Sequence, residues 1–197
     1  SRSLAKLRHL FGDRLMVKGA SGMMPTLRAE AMIEPLAGLL GDGLSHDPDA
    51  IAMASAERQM SWRELDGESD SLASAYLGLG LAPGDRVASL MPNRIGLVVH
   101  YLACFKAGLV VTPLNYRYTY REIDHALKVS GPRAILAHAE RADDLAESSL
   151  ASGLDFGSID YGSEPDSGGV RFEALIEGDG TKPPPFDPAP ADPAAIF

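Results

Sequence analysis

Three groups of residues in this sequence have types and spacings that bear on chemistry. The first is Gly178-Asp179-Gly180-Thr181-Lys182, where glycines, a hydroxyl and a lysine stand together. Such groups cradle phosphate through backbone amides and a point charge. Three prolines follow at 183–185, so no helix N-terminus forms behind the run to receive an anion. Gly19-Ala20-Ser21-Gly22 is also small and polar, but it lies between two short apolar runs and reads as a hairpin turn. No Gly-x4-Gly-Lys-Ser/Thr run occurs. The second group would ligate metals or attack carbonyls. His9, His46, His100, His125 and His138 include no two histidines at i, i+4, and Cys104 is the one cysteine. Neither a zinc cluster nor an internal disulfide is written here. No serine sits in a Gly-x-Ser-x-Gly elbow. His100 and Cys104 fall in an apolar run and read as packed core residues, and Asp143-Asp144 reads as a solvated helix face. His46 lies in a polar loop and takes no role. The third group is cationic: Arg94 lies within the most apolar stretch of the chain and Arg117 and Arg121 just beyond it, and spacing alone assigns none of them a role.

That stretch, residues 84–115, is what the remaining elements are organised around. Residues 86–90 and 109–114 are Val- and Leu-rich runs bounded by Gly, Pro and Asn, the pattern of strands buried on both faces. Residues 95–107 are too long for such a strand and apolar nearly all round, which predicts a buried helix. Asn93 is the expected N-cap and Gly108 the expected glycine just beyond the helix end. Strand, helix, strand makes a right-handed βαβ unit. Upstream, residues 50–60 read as a hairpin with its tip at 56–58. Ser61 and Glu64 then have capping-box spacing, opening a helix to about residue 79 that buries Leu65, Leu72, Ala75, Tyr76 and Leu79. Downstream, Thr119 and Glu122 form a second capping box for a helix burying Ile123, Leu127 and Val129. Ser130-Gly131-Pro132 ends it, and residues 134–137 read as a third parallel strand. A weaker acidic helix is expected over 140–150 and a further strand over 155–159. Residues 160–195 turn Gly-, Pro- and Asp-rich and read as linker, with one helical turn at 172–176. A strand begins again at the very end.

Composition sets the outer bounds. The chain has 197 residues and is 45% apolar, enough for a real core. The net charge of −9 argues against a simple nucleic-acid binder. It is unevenly spread: residues 1–37 carry +3 and the remainder −12. A basic head on an acidic body suggests two origins or two partners. No apolar run approaches the ~18 residues of a membrane span, no signal peptide is evident, and a reducing cytoplasm suits the single cysteine.

The head, SRSLAKLRHLFGDRLMVKGASGMMPTLRAEAMIEPL, places Leu4, Leu7, Leu10 and Phe11 on one face of an expected helix over 1–11. A hairpin and a second amphipathic helix over 27–40 follow. This segment resembles the second half of the winged helix-turn-helix of LysR-type transcriptional regulators. The resemblance implies that Ser1, Arg2 and Lys6 face DNA from a recognition helix, with Lys18 at the wing. It departs from the family in lacking the two preceding helices and the effector domain.

The body carries a second resemblance. GDRVASLMPN followed by FKAGLVVTPLN, together with MSWREL and the βαβαβ progression over residues 40–160, looks like the N-terminal part of the adenylate-forming enzymes. These are the AMP-dependent synthetases and ligases, acyl-CoA synthetases among them. The fold implied is α/β, with βαβ units forming a parallel sheet as an incomplete N-terminal subdomain. A short helix-hairpin-helix winged-helix remnant precedes it. The implied organisation is 1–37 winged-helix remnant, 38–160 synthetase part, and 161–197 linker stopping before the phosphate loop. The implied parent reaction converts a carboxylic acid and ATP to an acyl-adenylate, then to a CoA thioester. ATP, Mg and CoA serve the parent, and none is expected to be bound by this chain alone. The resemblance places the CoA nucleotide over the segment after the central βαβ, with Arg94, Arg117 and Arg121 as the candidates to hold it. The chain starts within an expected helix and stops within an expected strand, so both ends read as cut. The expectation is an inactive ligase fragment that tends to self-associate. A LysR-type DNA-binding fragment and a product of a rearranged reading frame are the alternatives.

Overall fold

The computed structural model describes residues 16–19, 22–25, 33–56, 58–164, 169–178 and 180–187, with side chains from residue 38 onward. The chain divides into two compact units, Ser1–Ala50 and Ile51–Phe197. In the first, β1 (Met16–Gly19) and β2 (Gly22–Pro25) pair antiparallel with Gly19 opposite Gly22, the expected hairpin. The helix expected over 1–11 lies outside the described residues. α1 (Ile33–His46) runs six residues past the expected end at residue 40. The Gly41-Asp42-Gly43 run that looked like a breaker is absorbed in the helix, because the Asp47 amide still reaches the Gly43 carbonyl at 3.1 Å. Asp47-Pro48 ends it instead, since the residue before proline is pushed out of the helical region. His46 is therefore in the last helical turn and not in a loop.

The second unit opens with a hairpin of β3 (Ile51–Ala54) and β4 (Gln59–Ser61). α2 (Trp62–Gly78) follows at once. Its capping box is complete: Glu64 N donates to Ser61 Oγ at 3.2 Å, and Ser61 N donates to Glu64 Oε2 at 2.6 Å. Leu65, Leu72 and Tyr76 are buried as expected, whereas Ala75 and Leu79 are only half-buried, and Ser69, Asp70, Ser71 and Ala73 take the inner face instead.

The sheet that follows is wholly parallel. Its strands are β5 (Arg86–Leu90), β6 (Val110–Pro113), β7 (Ala134–His138), β8 (Ser158–Tyr161) and β9 (Val170–Arg171). Their order across the sheet is β6-β5-β7-β8-β9. The chain starts at β5, steps outward to β6, then crosses back over β5 to β7. For both crossovers to be right-handed, their helices must lie on opposite faces, and they do. α4 (Tyr120–Ser130) packs Ile123 and Leu127 against Ala88, Leu90, Ile135 and Ala137. α3 (Ile95–Lys106) lies over the other set of alternate residues, where Gly96 meets the Tyr161 ring. α2 packs beside α3.

Several expectations are corrected here. The N-cap of α3 is Arg94, not Asn93, and Arg94 makes no side-chain cap bond. The helix is buried on one face only. Ile95, Gly96, Val99, His100, Ala103 and Cys104 recur at i, i+1, i+4 and turn inward, while Leu97, Val98, Tyr101 and Leu102 are half-buried and Phe105 is 46% exposed. Gly108 ends α3 as expected, at φ +68°. Val129 is 73% exposed: two positions beyond Leu127 it is rotated about 200° round the helix, away from the sheet. Gly131 caps α4 in the left-handed region at φ +58°. The expected helix over 140–150 is only α5 (Ala142–Glu147) between two 3-10 turns, Ala139–Arg141 and Ala151–Gly153. The break has a cause. The Asp124 carboxylate of α4 accepts from Ser148 Oγ at 2.6 Å, Ser149 Oγ at 2.8 Å and Leu150 N at 3.1 Å, drawing that segment out of helical geometry. β9 was not expected, and α6 (Phe172–Ile176) was.

Two polar clusters pin α2 to α3. Lys106 Nζ reaches Asp66 Oδ1 at 2.6 Å, the Asp66 carbonyl at 2.9 Å and Asp70 Oδ1 at 2.7 Å, with Asp70 only 5% exposed. Deeper, Tyr76 Oη and His100 Nδ1 share a hydrogen bond of 2.8 Å, and Cys104 Sγ lies 3.7 Å from the same nitrogen. All three are 0% exposed, which confirms His100 and Cys104 as core residues. Burial lowers the His100 pKa from 6.5 to about 3, so the ring is neutral, and pushes the Tyr76 phenol up.

β6 is an edge of the sheet among the described residues. Val110 N bonds the Asp85 carbonyl and Leu114 N the Ser89 carbonyl. Even-numbered residues therefore face β5, and the backbone of Val111 and Pro113 faces outward. Among the described residues, no helix is long and apolar enough to cross a membrane.

Candidate functional site

Strand order β6-β5-β7 puts the reversal of winding at β5. In doubly wound sheets ligands bind outside the carboxyl ends of the strands at that point. The loops there gather aromatic and charged groups. After β6, Asn115 Oδ1 accepts from Arg117 N at 3.1 Å and turns the loop back on itself, presenting Tyr116 and Arg117. After β7, His138 Nδ1 accepts from Glu140 N at 3.2 Å, which opens the 3-10 turn carrying Glu140 and Arg141. Tyr116 Oη donates to Glu140 Oε2. The Arg141 guanidinium lies 5.5 Å from the Tyr116 ring centre, donates to the Tyr118 carbonyl, and pairs with Asp144 at 3.1 Å.

A row of rings continues along the same edge. Tyr116 and His138 are 6.3 Å apart at 89°, His138 and Tyr161 5.5 Å at 34°, and Tyr161 and Phe172 5.1 Å at 57°. Offset and edge-on pairs of this kind are favourable beyond their buried area. Gly96 is required for the row: a Cβ there would stand 2.4 Å from Tyr161 Cε2. The hydrogen bond from Tyr116, and next the nearby His138, hold the Glu140 carboxyl below the ordinary carboxylate value, with Arg94 acting in the same sense. Conversely, that bond to Glu140 is the main cause that raises the Tyr116 phenol, while Arg141 and Arg94 oppose it.

Of the candidates named from sequence, Arg94 and Arg117 come to this edge, one after β5 and one after β6. Arg94 is half-buried and interacts with the Tyr116–Glu140 pair, and Arg117 is exposed. Arg121 is set apart on α4. Its guanidinium lies 5.5 Å from the Tyr120 ring centre, in an open cleft with Tyr118, Glu122 and His125. Ser1, Arg2 and Lys6 lie outside the described residues, and Lys18 is in β1. Glu140, Arg141, His138 and Tyr161 were not singled out. Their position, at or just past the end of an apolar strand, was the signal. Among the described residues no group of three or more His, Cys, Asp or Glu is placed to hold a metal ion. Gly178 and the residues 180–182 have no helix behind them, as the prolines dictate.

Five parallel strands wound in both directions, with charge and aromatic rings gathered at their carboxyl edge, define a doubly wound α/β domain. Residues 42–197 match the AMP-binding enzyme family, and the chain belongs to it. It is 37% identical over 106 residues to a feruloyl-CoA synthase of Amycolatopsis, a match covering 54% of this chain and 21% of that protein. It is 41% identical over 90 residues to the long-chain-fatty-acid–CoA ligase of Salmonella typhimurium, covering 45% and 16%. The crystal structure of apo MatB from Rhodopseudomonas palustris superposes with a TM-score of 0.67 at 28% identity, over 82% of this chain and 31% of that one. The chain thus spans about a fifth of the length of the curated relatives it matches.

Proposed function

We propose that this chain is the N-terminal α/β part of an acyl-CoA synthetase-like ligase. The observation that carries the reading is the family match over residues 42–197, joined to relatives that bear the names of CoA ligases. In the parent reaction a substrate carboxylate attacks the α-phosphorus of ATP and expels pyrophosphate. The CoA thiolate then attacks the acyl carbonyl and expels AMP. We assign this part of the ligase to binding. Arg94 and Arg117, backed by the Tyr116–Glu140–Arg141 cluster, hold the phosphates of the CoA nucleotide end. Two guanidiniums on fixed loops suit that task, because they pair with phosphate oxygens through directed N–H groups. Arg121 sits farther along the same side and is the third candidate. The reading places the protein in the cytoplasm, where ATP and CoA are available. It assigns the ligase part to residues 38–197, because β9 continues the sheet beyond residue 160.

The test is calorimetric titration of the 197-residue chain with CoA, alongside an ATP–pyrophosphate exchange assay. Weak CoA binding that falls about tenfold in Arg117→Glu is expected, with no exchange. Absence of CoA binding overturns the site, and exchange by the chain alone overturns the assignment to binding only.

A second reading rests on the first unit. We infer that residues 1–37 derive from a LysR-type winged helix-turn-helix, with Ser1, Arg2, Lys6 and Lys18 toward DNA. The β1–β2 hairpin supports it, since that is the place and form of the wing. Mobility shifts of duplex DNA at low and moderate salt are the check. A salt-sensitive shift is expected from a +3 head, and no shift at low salt ends the reading.

A further inference from the structure

After α6 the chain does not leave the second unit. It runs back along α2, and three contacts mark its path. Gly180 N donates to Ser71 Oγ at 3.1 Å. Ser74 Oγ donates to the Thr181 carbonyl at 2.7 Å. Farther on, the Phe186 ring covers Gly108, the residue that ends α3 and leads into β6. A Cβ at Gly108 would meet that ring at 2.7 Å. Gly178 also comes close, its missing Cβ 3.1 Å from Ser71 Oγ. The segment therefore carries the chain from the carboxyl edge of the sheet, where α6 lies, to the opposite edge, where β6 begins. Between the second and third contacts stand Pro183, Pro184 and Pro185. Consecutive prolines favour an extended, stiff chain rising about 3.1 Å per residue.

We propose that residues 180–187 form a latched strap, released and docked as one piece and independently of the sheet. The stiff proline run is what couples its two ends. A flexible linker would let Phe186 lift without disturbing Gly180. A rod pinned at both ends transmits loss of one pin to the other. The strap has the marks of a unit with low local stability: two serine hydrogen bonds, one half-buried ring, and mostly exposed backbone. Its release frees eight residues of tether, a reach of roughly 26–29 Å when extended.

The test is amide exchange of Gly180 by NMR in the whole chain, with the Leu136 and Ala137 amides of β7 as reporters of the sheet. In the wild type Gly180 should exchange at least tenfold more slowly than an unstructured peptide. Phe186→Ala should abolish most of that protection, although Phe186 lies six residues beyond Gly180, and leave Leu136 and Ala137 unchanged. Chymotryptic cleavage after Phe186 should be severalfold faster in Ser71→Ala than in the wild type. Gly180 exchanging at the unstructured rate in the wild type overturns the strap. Protection that survives Phe186→Ala overturns the coupling. Sheet amides that lose protection together with Gly180 overturn its independence.

Discussion

Acidification from pH 7 to pH 4 is expected to remove about 3 kcal/mol of folding free energy through one side chain, His100. Its pKa in the folded chain is about 3, lowered by burial from 6.5. Between those values the unfolded chain binds a proton that the folded chain refuses. Stability from the neutral ring is therefore fully present above about pH 6.5 and is lost as pH falls toward 3, at about 1.4 kcal/mol per pH unit. The ring has no anion to compensate a charge. It is 0% exposed, and its nearest polar neighbours are a phenol and a thiol that burial keeps protonated. Urea unfolding at pH 7, 5.5 and 4 measures the effect, with His100→Asn as the reference. The variant should be less stable at pH 7, yet its stability should fall less steeply with pH. Equal slopes in the two proteins would show that other groups govern acid unfolding.

Replacing Lys106 by alanine is expected to cost about 2–3 kcal/mol, and the reason is what it leaves behind. Lys106 closes two carboxylates of α2 with one ammonium, and Asp70 is nearly out of solvent. An unpaired buried charge costs about 3–5 kcal/mol when fully enclosed. The ammonium is 19% exposed on its side chain, which places this site at the lower end or below it. The double variant Lys106→Ala, Asp70→Asn separates the possibilities. If the orphaned carboxylate is the cause, the double variant should recover at least half of the loss. Losses that simply add would mean the lysine acts through packing of its methylenes.

Much of the second unit was legible because its signals are local. Residues 87–90 and 134–137 are short, mainly apolar runs, and buried parallel strands look that way. The two capping boxes state where α2 and α4 begin, and Gly108 and Gly131 state where α3 and α4 end. What escaped depends on distant partners. Nothing near Ser148 announces that Asp124, on another element, will break a helix there. β9 has two residues, too few for any periodicity. Apolarity alone could not show that α3 keeps Leu97, Val98 and Phe105 turned from the sheet, because a helix apolar on every side gives no direction. The site was half-legible for a related reason. Arg94 and Arg117 stand out as charges beside an apolar stretch. Glu140, Arg141 and Tyr161 become a cluster only once β7 and β8 lie beside β5.

The outward edge of β6 has a consequence for how this protein fails. Along that edge, the next extended chain would find one amide donor, Val111, because Pro113 has none to give. At the far edge, β9 offers two residues. Fibril growth needs an unbroken row of donors that each added strand renews, and neither margin supplies one. The aliphatic side of α3 has no such requirement, since dispersion and dehydration are indifferent to register. Overconcentrated protein should therefore coalesce into shapeless, redissolvable clusters rather than ordered cross-β fibres.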